Sequence, residues 1–304
     1  MKYVTTGSLG HIGRPLSESL VKAGHDVTVI TSKQEHAPKI ESLGAKAAVG
    51  SIEDVDFLTK TFTGAGAVFT MVPPKWDAAD WTKWIEQIGK NYAAAIKAAN
   101  VKYVVNLSSV GAHMHDGAGP VTGLHRAEEA LNKLTEVNIK HLRPAYFYHN
   151  LLANIDMVKH MNIIGGNFSV KEKKFAIADP ADIAAVAAEE LLKLSFKGHS
   201  IRYIASDEVS TDEIAKTFGT AIGKPDLPWI VFSNEEALQG MLGAGLPEEV
   251  AKNYVEMNTA INSGEMYSDY WKNHPASLGK TKLEDFAKEF AAAYNAPTPE
   301  GDNK

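Results

Sequence analysis

The chain has 304 residues, 44% apolar and 22% charged, which is enough to fill a large core and excludes disordered, collagen-like and coiled-coil fibre classes. Its 31 basic and 37 acidic residues give a formal charge of −6, so no broad cationic field exists for nucleic acid or an anionic membrane. The absence of cysteine excludes disulfides, thiolate nucleophiles, iron–sulfur clusters and thiolate zinc sites.

The opening residues, 1–13, carry one Lys and reach Gly7 too early for a signal-peptide apolar region. No apolar run approaches the ~20 residues that span a bilayer. A cytoplasmic protein is expected, with a small molecule as partner and a monomeric or homodimeric state. β-rich runs recur at Lys2–Thr6, Asp26–Thr31, Ala45–Val49, Ala67–Val72, Tyr103–Ser108 and Ile139–Arg143. Between the first two, Ile12, Leu16, Leu20 and Val21 share a helical face that stops at Gly24. Trp81, Trp84, Ile85, Ile88, Tyr92 and Ile96 mark a longer helix. Strands alternating with helices predict a doubly wound α/β fold, a parallel Rossmann sheet covered on both faces.

Past residue 150 the rhythm changes. Helices are predicted at Asp182–Leu194, Thr211–Gly223 (capped by Thr211), Asn234–Leu242, Pro247–Ser263 and Lys282–Tyr294, and a strand at Ser200–Ala205. The expected organisation is a dinucleotide-binding Rossmann domain over 1–150, with a returning strand near 200–205, and a smaller, mainly helical substrate lobe over 151–304. Residues from Pro297 to Lys304 read as a loose tail.

Chemistry first gathers at Thr6-Gly7-Ser8-Leu9-Gly10-His11-Ile12-Gly13, which follows the first strand and opens the first helix. The three glycines suit a tight turn, close approach to a pyrophosphate and close helix–sheet packing. The helix N-terminus offers unpaired N–H groups to phosphate oxygens. The second strand ends Thr31-Ser32-Lys33, with no acid until Glu35. A hydroxyl followed by an ammonium suits a 2′-phosphate, so NADP(H) is the preferred cofactor and NAD(H) the alternative. His113, His115 and Asp116 lie in a Gly-rich loop that reads as a substrate lid; no metal is expected there. Lys252, Lys272 and Lys280 are interspersed with acids, which argues against nucleic acid.

These residues resemble the short-chain dehydrogenase/reductase superfamily, with its Thr-Gly-x-x-Gly-x-x-Gly opening. More closely, the chain is similar to the NmrA-like atypical branch. Thr70-Met71-Val72-Pro73-Pro74, Asn106-Leu107-Ser108-Ser109-Val110-Gly111-Ala112, His125-x-x-x-Glu129, the run from Leu142 to Asn150 and Gly279–Phe286 carry that likeness. The resemblance implies that Gly7, Gly10, His11, Ile12 and Gly13 line the pyrophosphate, and Ser32 and Lys33 the adenosine phosphate. Ser51 and Ile52 then flank the adenine; many relatives have Asp where Ser51 stands. Met71, Val72 and Pro73 run beside the ribose, while Ser108, Pro144, Tyr146 and Phe147 surround the nicotinamide.

The superfamily's Tyr-x-x-x-Lys pair falls on Val121 and His125, neither of which fills the usual role. That argues against a phenol-mediated alcohol dehydrogenase. The family implies an NAD(P)H-dependent oxidoreductase of quinones, azo compounds, dyes or related electrophiles, by direct hydride transfer; the alternative is a non-catalytic redox sensor acting through a protein partner. His125 and Tyr146 are the candidate catalytic residues. His125 is expected to contact the ribose, to donate a proton, or merely to bond Glu129 one turn along. Tyr146, Phe147, Tyr148 and Trp229 are candidate walls of an apolar slot for a flat substrate.

Overall fold

A computed structural model of the chain describes residues 1–172 and 174–297. Beyond Pro297, the tail expectation lies outside the described residues. The first half alternates β1 (Lys2–Thr5), α1 (Gly13–Lys22), β2 (Asp26–Thr31), α2 (Ala37–Glu41), β3 (Lys46–Val49), α3 (Val55–Phe62), β4 (Ala67–Thr70), α4 (Trp81–Ala98), β5 (Tyr103–Leu107), α5 (Pro120–Asn132) and β6 (Asn138–Pro144). There follow β7 (Tyr146–Phe147), α6 (Ile155–Met161), β8 (Ile164–Gly166), β9 (Phe175–Ala178), α7 (Pro180–Lys193) and β10 (His199–Ile204). The chain continues through β11 (Asp207–Val209), α8 (Thr211–Ala221), β12 (Trp229–Val231), α9 (Asn234–Gly243), α10 (Glu248–Asn262), α11 (Ser268–Lys272) and α12 (Leu283–Asn295).

Seven strands form one parallel sheet in the order β10-β6-β5-β4-β1-β2-β3. Successive strand residues enter opposite cores, as a pleat of period two requires. Tyr3, Val29, Phe69 and Val105 join Leu16 and Leu20 of α1 and Ile183 and Ala187 of α7. Their neighbours Val4, Ile30, Val68 and Val104 join Leu58 and Phe62 of α3, Ile88, Tyr92 and Ile96 of α4, and Leu131 of α5. Each fully buried Ile or Leu stabilises the fold by roughly 1.5–3 kcal/mol against exposure. Helix α4 starts where Asp80 accepts from the Lys83 N–H at 2.9 Å, and its long apolar stripe is buried.

Strand order reverses between β1 and β4, so the loops leaving their C-terminal ends diverge there. In open α/β sheets that divergence makes the ligand crevice. β10 returns to the sheet edge beside β6, with Ile201 opposite His141. The second half also holds two small sheets without a signal in the sequence pattern: β11-β9-β7 and β12-β8. One detail of that half differs from expectation. Ser210, not Thr211, caps α8, because its hydroxyl accepts from the Glu213 N–H and Glu213 reaches back, while Thr211 is buried as the first helical residue. Among the described residues, no helix is long and apolar enough to cross a membrane.

Candidate active site

The loop from Thr6 to Ile12 joins β1 to α1 at the crevice. Gly7 has φ +90°, and a Cβ there would stand 2.1 Å from Met71 Sδ. A Cβ on Gly13 would stand 2.1 Å from the Ser8 carbonyl oxygen. Both glycines are demanded by the protein itself. Gly10 is different: its nearest neighbour would be the Gly7 oxygen at 3.8 Å, an ordinary contact. The polypeptide leaves room at Gly10 that it does not use. Thr6 anchors the loop by accepting from the Met71 N–H at 2.8 Å and donating to the Met71 carbonyl at 3.1 Å. Tyr92 donates to the same carbonyl at 2.8 Å, fixing Met71 and hence the approach to Val72 and Pro73. His11 is exposed and its ring meets that of His149, 4.3 Å between centroids. Ile12 is in the core against α1.

At the end of β2, Ser32 and Lys33 are exposed. Beside them Ser8 Oγ lies 3.3 Å from Thr31 Oγ1 and 3.3 Å from His36 Nδ1. Thr31 Oγ1 is 3.2 Å from His36 Nδ1 and accepts from the Lys33 N–H. Glu35 Oε1 lies 3.8 Å from Lys33 Nζ and 4.0 Å from His36 Nε2. Ser8, Thr31 and His36 were invisible as a group in the sequence. Ser51 accepts from the Glu53 N–H, and Asn91 of α4 donates to the carbonyls of Ile52 and Glu53. Lys75, 3.0 Å from Glu53, joins this loop to the one after β4.

The other side of the crevice is built by β5, β6 and β7. Ser108 donates its N–H to the Leu142 carbonyl, but its buried hydroxyl has no hydrogen-bond partner among the described residues. Pro144 ends β6, and Tyr146 and Phe147 pair with β9. The Tyr146 ring packs against Phe175 and Phe168 at 5.2 and 6.2 Å. Burial, reinforced by the nearby Tyr254, pushes the Tyr146 phenol above its ordinary range. Among the described residues no ammonium offsets that push, so this phenol is a poorer acid than a free tyrosine. Tyr148 is fully buried, stacked on Phe286 at 4.9 Å; it is a core residue and not a slot wall. Trp229 packs edge-on to Phe168 and donates to the Phe168 carbonyl. A second aromatic group, missed in the sequence, joins Trp76 of the loop after β4, Trp81 and Tyr254 of α10 at 5.8–6.2 Å.

His125 lies on α5. Its Nδ1 is 2.9 Å from the Ala112 carbonyl, and its Nε2 is 3.7 Å from Glu129. The Ala112 carbonyl also accepts from Arg143 at 3.3 Å. Arg143 forms a buried fork with Glu128, at 3.0 and 2.6 Å, and donates to Tyr203. Val121 is buried. Behind the site runs a buried polar chain, in which Thr70 donates to Asn106, Asn106 to His141 Nδ1 at 3.1 Å, and His141 Nε2–H to Asn132 at 3.0 Å. Burial holds His141 below its ordinary pKa, and the neutral ring satisfies every partner. In the Gly279–Phe286 segment, Asp182 accepts from the Lys280 and Thr281 N–H groups at 3.0 and 3.1 Å. Burial alone would raise that carboxyl; Ser206 and these amides reverse the shift and hold it low.

A parallel sheet with a glycine loop at its reversal point defines a dinucleotide-fold protein. The chain belongs to the NmrA-like family, whose profile matches residues 2–287. It is 24% identical to an NAD(P)H azoreductase of Xenophilus azovorans over 299 residues, 96% of this chain and 99% of the relative. In structure it is similar to the NADPH-dependent quinone oxidoreductase of Escherichia coli complexed with NADPH, with a TM-score of 0.79 and 19% identity over 94% of this chain and 99% of that one. The triphenylmethane reductase of Citrobacter sp. gives a TM-score of 0.79 at 20% identity, covering 96% and 100%. At these identities the structural likeness is one of fold.

Proposed function

We propose that the chain is an NADP(H)-dependent oxidoreductase that reduces a flat electrophile such as a quinone, an azo compound or a cationic dye. The observation that carries this reading is the unused Cβ space at Gly10, between two glycines that the protein requires for itself. It suits a pyrophosphate that must meet bare backbone at the start of α1. The orphaned Ser108 hydroxyl at the far end of the crevice fits the polar edge of a nicotinamide. A nicotinamide held there supplies the hydride.

The residues divide the work by position. Gly7, Gly10, His11, Ile12 and Gly13 surround the pyrophosphate. Ser32 and Lys33, with Ser8, Thr31 and His36 beside them, would bind the 2′-phosphate. Ser51 and Ile52 flank the adenine, and Met71, Val72 and Pro73 the ribose. Ser108, Pro144, Tyr146 and Phe147 hold the nicotinamide, with His125 positioning the loop at its edge through Ala112. Tyr146, Trp76 and Tyr254 offer ring faces to a flat substrate, with the buried Trp81 packed behind Trp76 and Tyr254. Residues 1–150 with β10 hold the cofactor, and the described residues after 150, as far as Pro297, help to close the substrate side.

Orientation at this crevice does the catalytic work, since a well-oriented pair can save up to about 7–11 kcal/mol of barrier. Quinones and cationic dyes accept hydride without a strong acid, and solvent completes the protonation. This matches a site whose phenol is pushed up and whose imidazole is engaged by a carbonyl. Calorimetry with NADPH and NADH, followed by NADPH oxidation against quinone and dye panels, tests the reading. Tighter NADPH binding and turnover of a panel member are expected. Failure to bind either dinucleotide overturns the reading; binding without turnover marks a nucleotide-binding regulator instead.

A further inference from the structure

The loop between β5 and α5 carries His113, His115 and Asp116, and the fold sends them to three different places. His113 Nε2 pairs with Ser268 Oγ at 3.1 Å, and Asp116 accepts from Arg126 at 3.0 Å. His115 instead lies edge-on to His125, with ring centroids 4.5 Å apart. Glu129, one helical turn past His125, completes a trio whose donor atoms all lie within 4.8 Å of one another.

The state of His125 gives this trio its meaning. A carbonyl oxygen only accepts, so the 2.9 Å contact with Ala112 requires a proton on Nδ1. In the neutral ring, Nε2 then carries the lone pair. That atom is buried and has no hydrogen-bond partner among the described residues. Glu129 Oε1, 3.7 Å away, is an acceptor too and cannot satisfy it. Two imidazoles and a carboxylate with donor atoms within 4.8 Å of one another, one ring fixed from behind by a backbone carbonyl, are what a divalent cation uses.

We propose that His115, His125 and Glu129 bind a divalent transition-metal ion of the Zn2+ type, which fastens the loop after β5 onto α5. The nitrogen-rich donor set without thiolate favours Zn2+ over Mg2+ or Ca2+, which prefer all-oxygen shells. Zn2+ takes such ligands at about 2.0–2.2 Å, so the donors must draw in by about an ångström. The exposed His115 and Glu129 can make that move while His125 stays anchored. Three protein ligands leave one position for water.

The test is Zn2+ titration of chelator-stripped, full-length protein in competition with a chromophoric indicator near neutral pH, without dinucleotide. One equivalent should bind with a dissociation constant in the micromolar range or below. His115→Ala and Glu129→Gln should each weaken it about tenfold or more, with circular dichroism and melting temperature confirming that both fold. His160→Ala, at an exposed histidine of α6, should leave binding unchanged. Zn2+ should also slow proteolysis within residues 111–119 in the wild type and not in His115→Ala. Full affinity in both variants would mean adventitious binding elsewhere, and no binding at about 100 µM Zn2+ would mean an ordinary polar cluster; either overturns the proposal. Because the readout omits dinucleotide, its failure leaves the oxidoreductase reading standing, and the reverse also holds.

Discussion

Gly10→Ala separates what the fold needs from what the dinucleotide needs. The added Cβ would meet only the Gly7 oxygen at 3.8 Å, and φ at Gly10 is not in the left-handed region. The folded state therefore loses nothing, and the reduced freedom of the unfolded chain should stabilise the protein by about 0.4–1 kcal/mol. Gly7→Ala makes the contrast. Its φ of +90° and the 2.1 Å approach to Met71 Sδ demand both backbone strain and displacement of Met71. The left-handed conformation alone costs about 1–2 kcal/mol. In Gly10→Ala the methyl occupies the space assigned to the pyrophosphate, so NADPH should bind at least tenfold more weakly, about 1.4 kcal/mol. Chemical denaturation measures the first effect and calorimetry with NADPH the second. Wild-type NADPH affinity in a stably folded Gly10→Ala protein would refute the phosphate-loop assignment.

Lys33→Glu places an anion beside the proposed 2′-phosphate, so NADPH affinity should fall about tenfold while NADH affinity holds; a wild type that prefers NADH contradicts the premise. His125→Gln should lower turnover at saturating NADPH less than tenfold, because the ring positions Ala112 and donates no proton in the slow step; a loss of ~10²-fold with a missing limb in the pH profile would assign it acid catalysis. Glu128→Gln leaves the Arg143 guanidinium buried without its carboxylate, with only Asp269 at 3.5 Å in partial compensation, and should destabilise by about 3 kcal/mol, read as a lower urea midpoint. For His141, the folded pKa lies below the unfolded ~6.5, so the unfolded chain binds the extra proton as pH falls. Its contribution to stability is complete above about pH 6.5 and declines as pH drops toward the folded value. Nitrogen NMR should find the ring neutral and protonated at Nε2 at pH values just below ~6.5, and a charged ring there would contradict the polar chain drawn through Asn106 and Asn132.

The sequence by itself determined the strands and helices of the main sheet and the glycine loop after β1, since these depend on neighbours along the chain. Strand runs such as Asp26–Thr31 are legible because each must bury both faces, and the Trp81–Ile96 stripe because a helix returns every 3.6 residues. The glycines at 7 and 13 are legible because the turn at Gly7 and the packing at Gly13 each exclude a side chain, whereas at Gly10 the protein itself leaves room for one. Strands of two or three residues, such as β7, β8, β11 and β12, are too short for any period to show. The Ser210 cap was displaced by one residue because Ser and Thr are both good caps, and only the reciprocal bond with Glu213 chooses between them.

What tertiary structure alone decided are the polar meetings between distant segments. Ser8 reaches His36 across 28 positions, Thr70 reaches Asn106 across 36, and Arg143 reaches Tyr203 across 60. Such pairs carry no periodicity, because a single hydroxyl or imidazole fits equally well on a surface and in a site. The assignment of His115 to His125, rather than to His113 or Asp116, is of the same kind. It follows from the path of a glycine-rich loop over α5, and a loop's path is set by the packing at its two ends and not by the residues it carries.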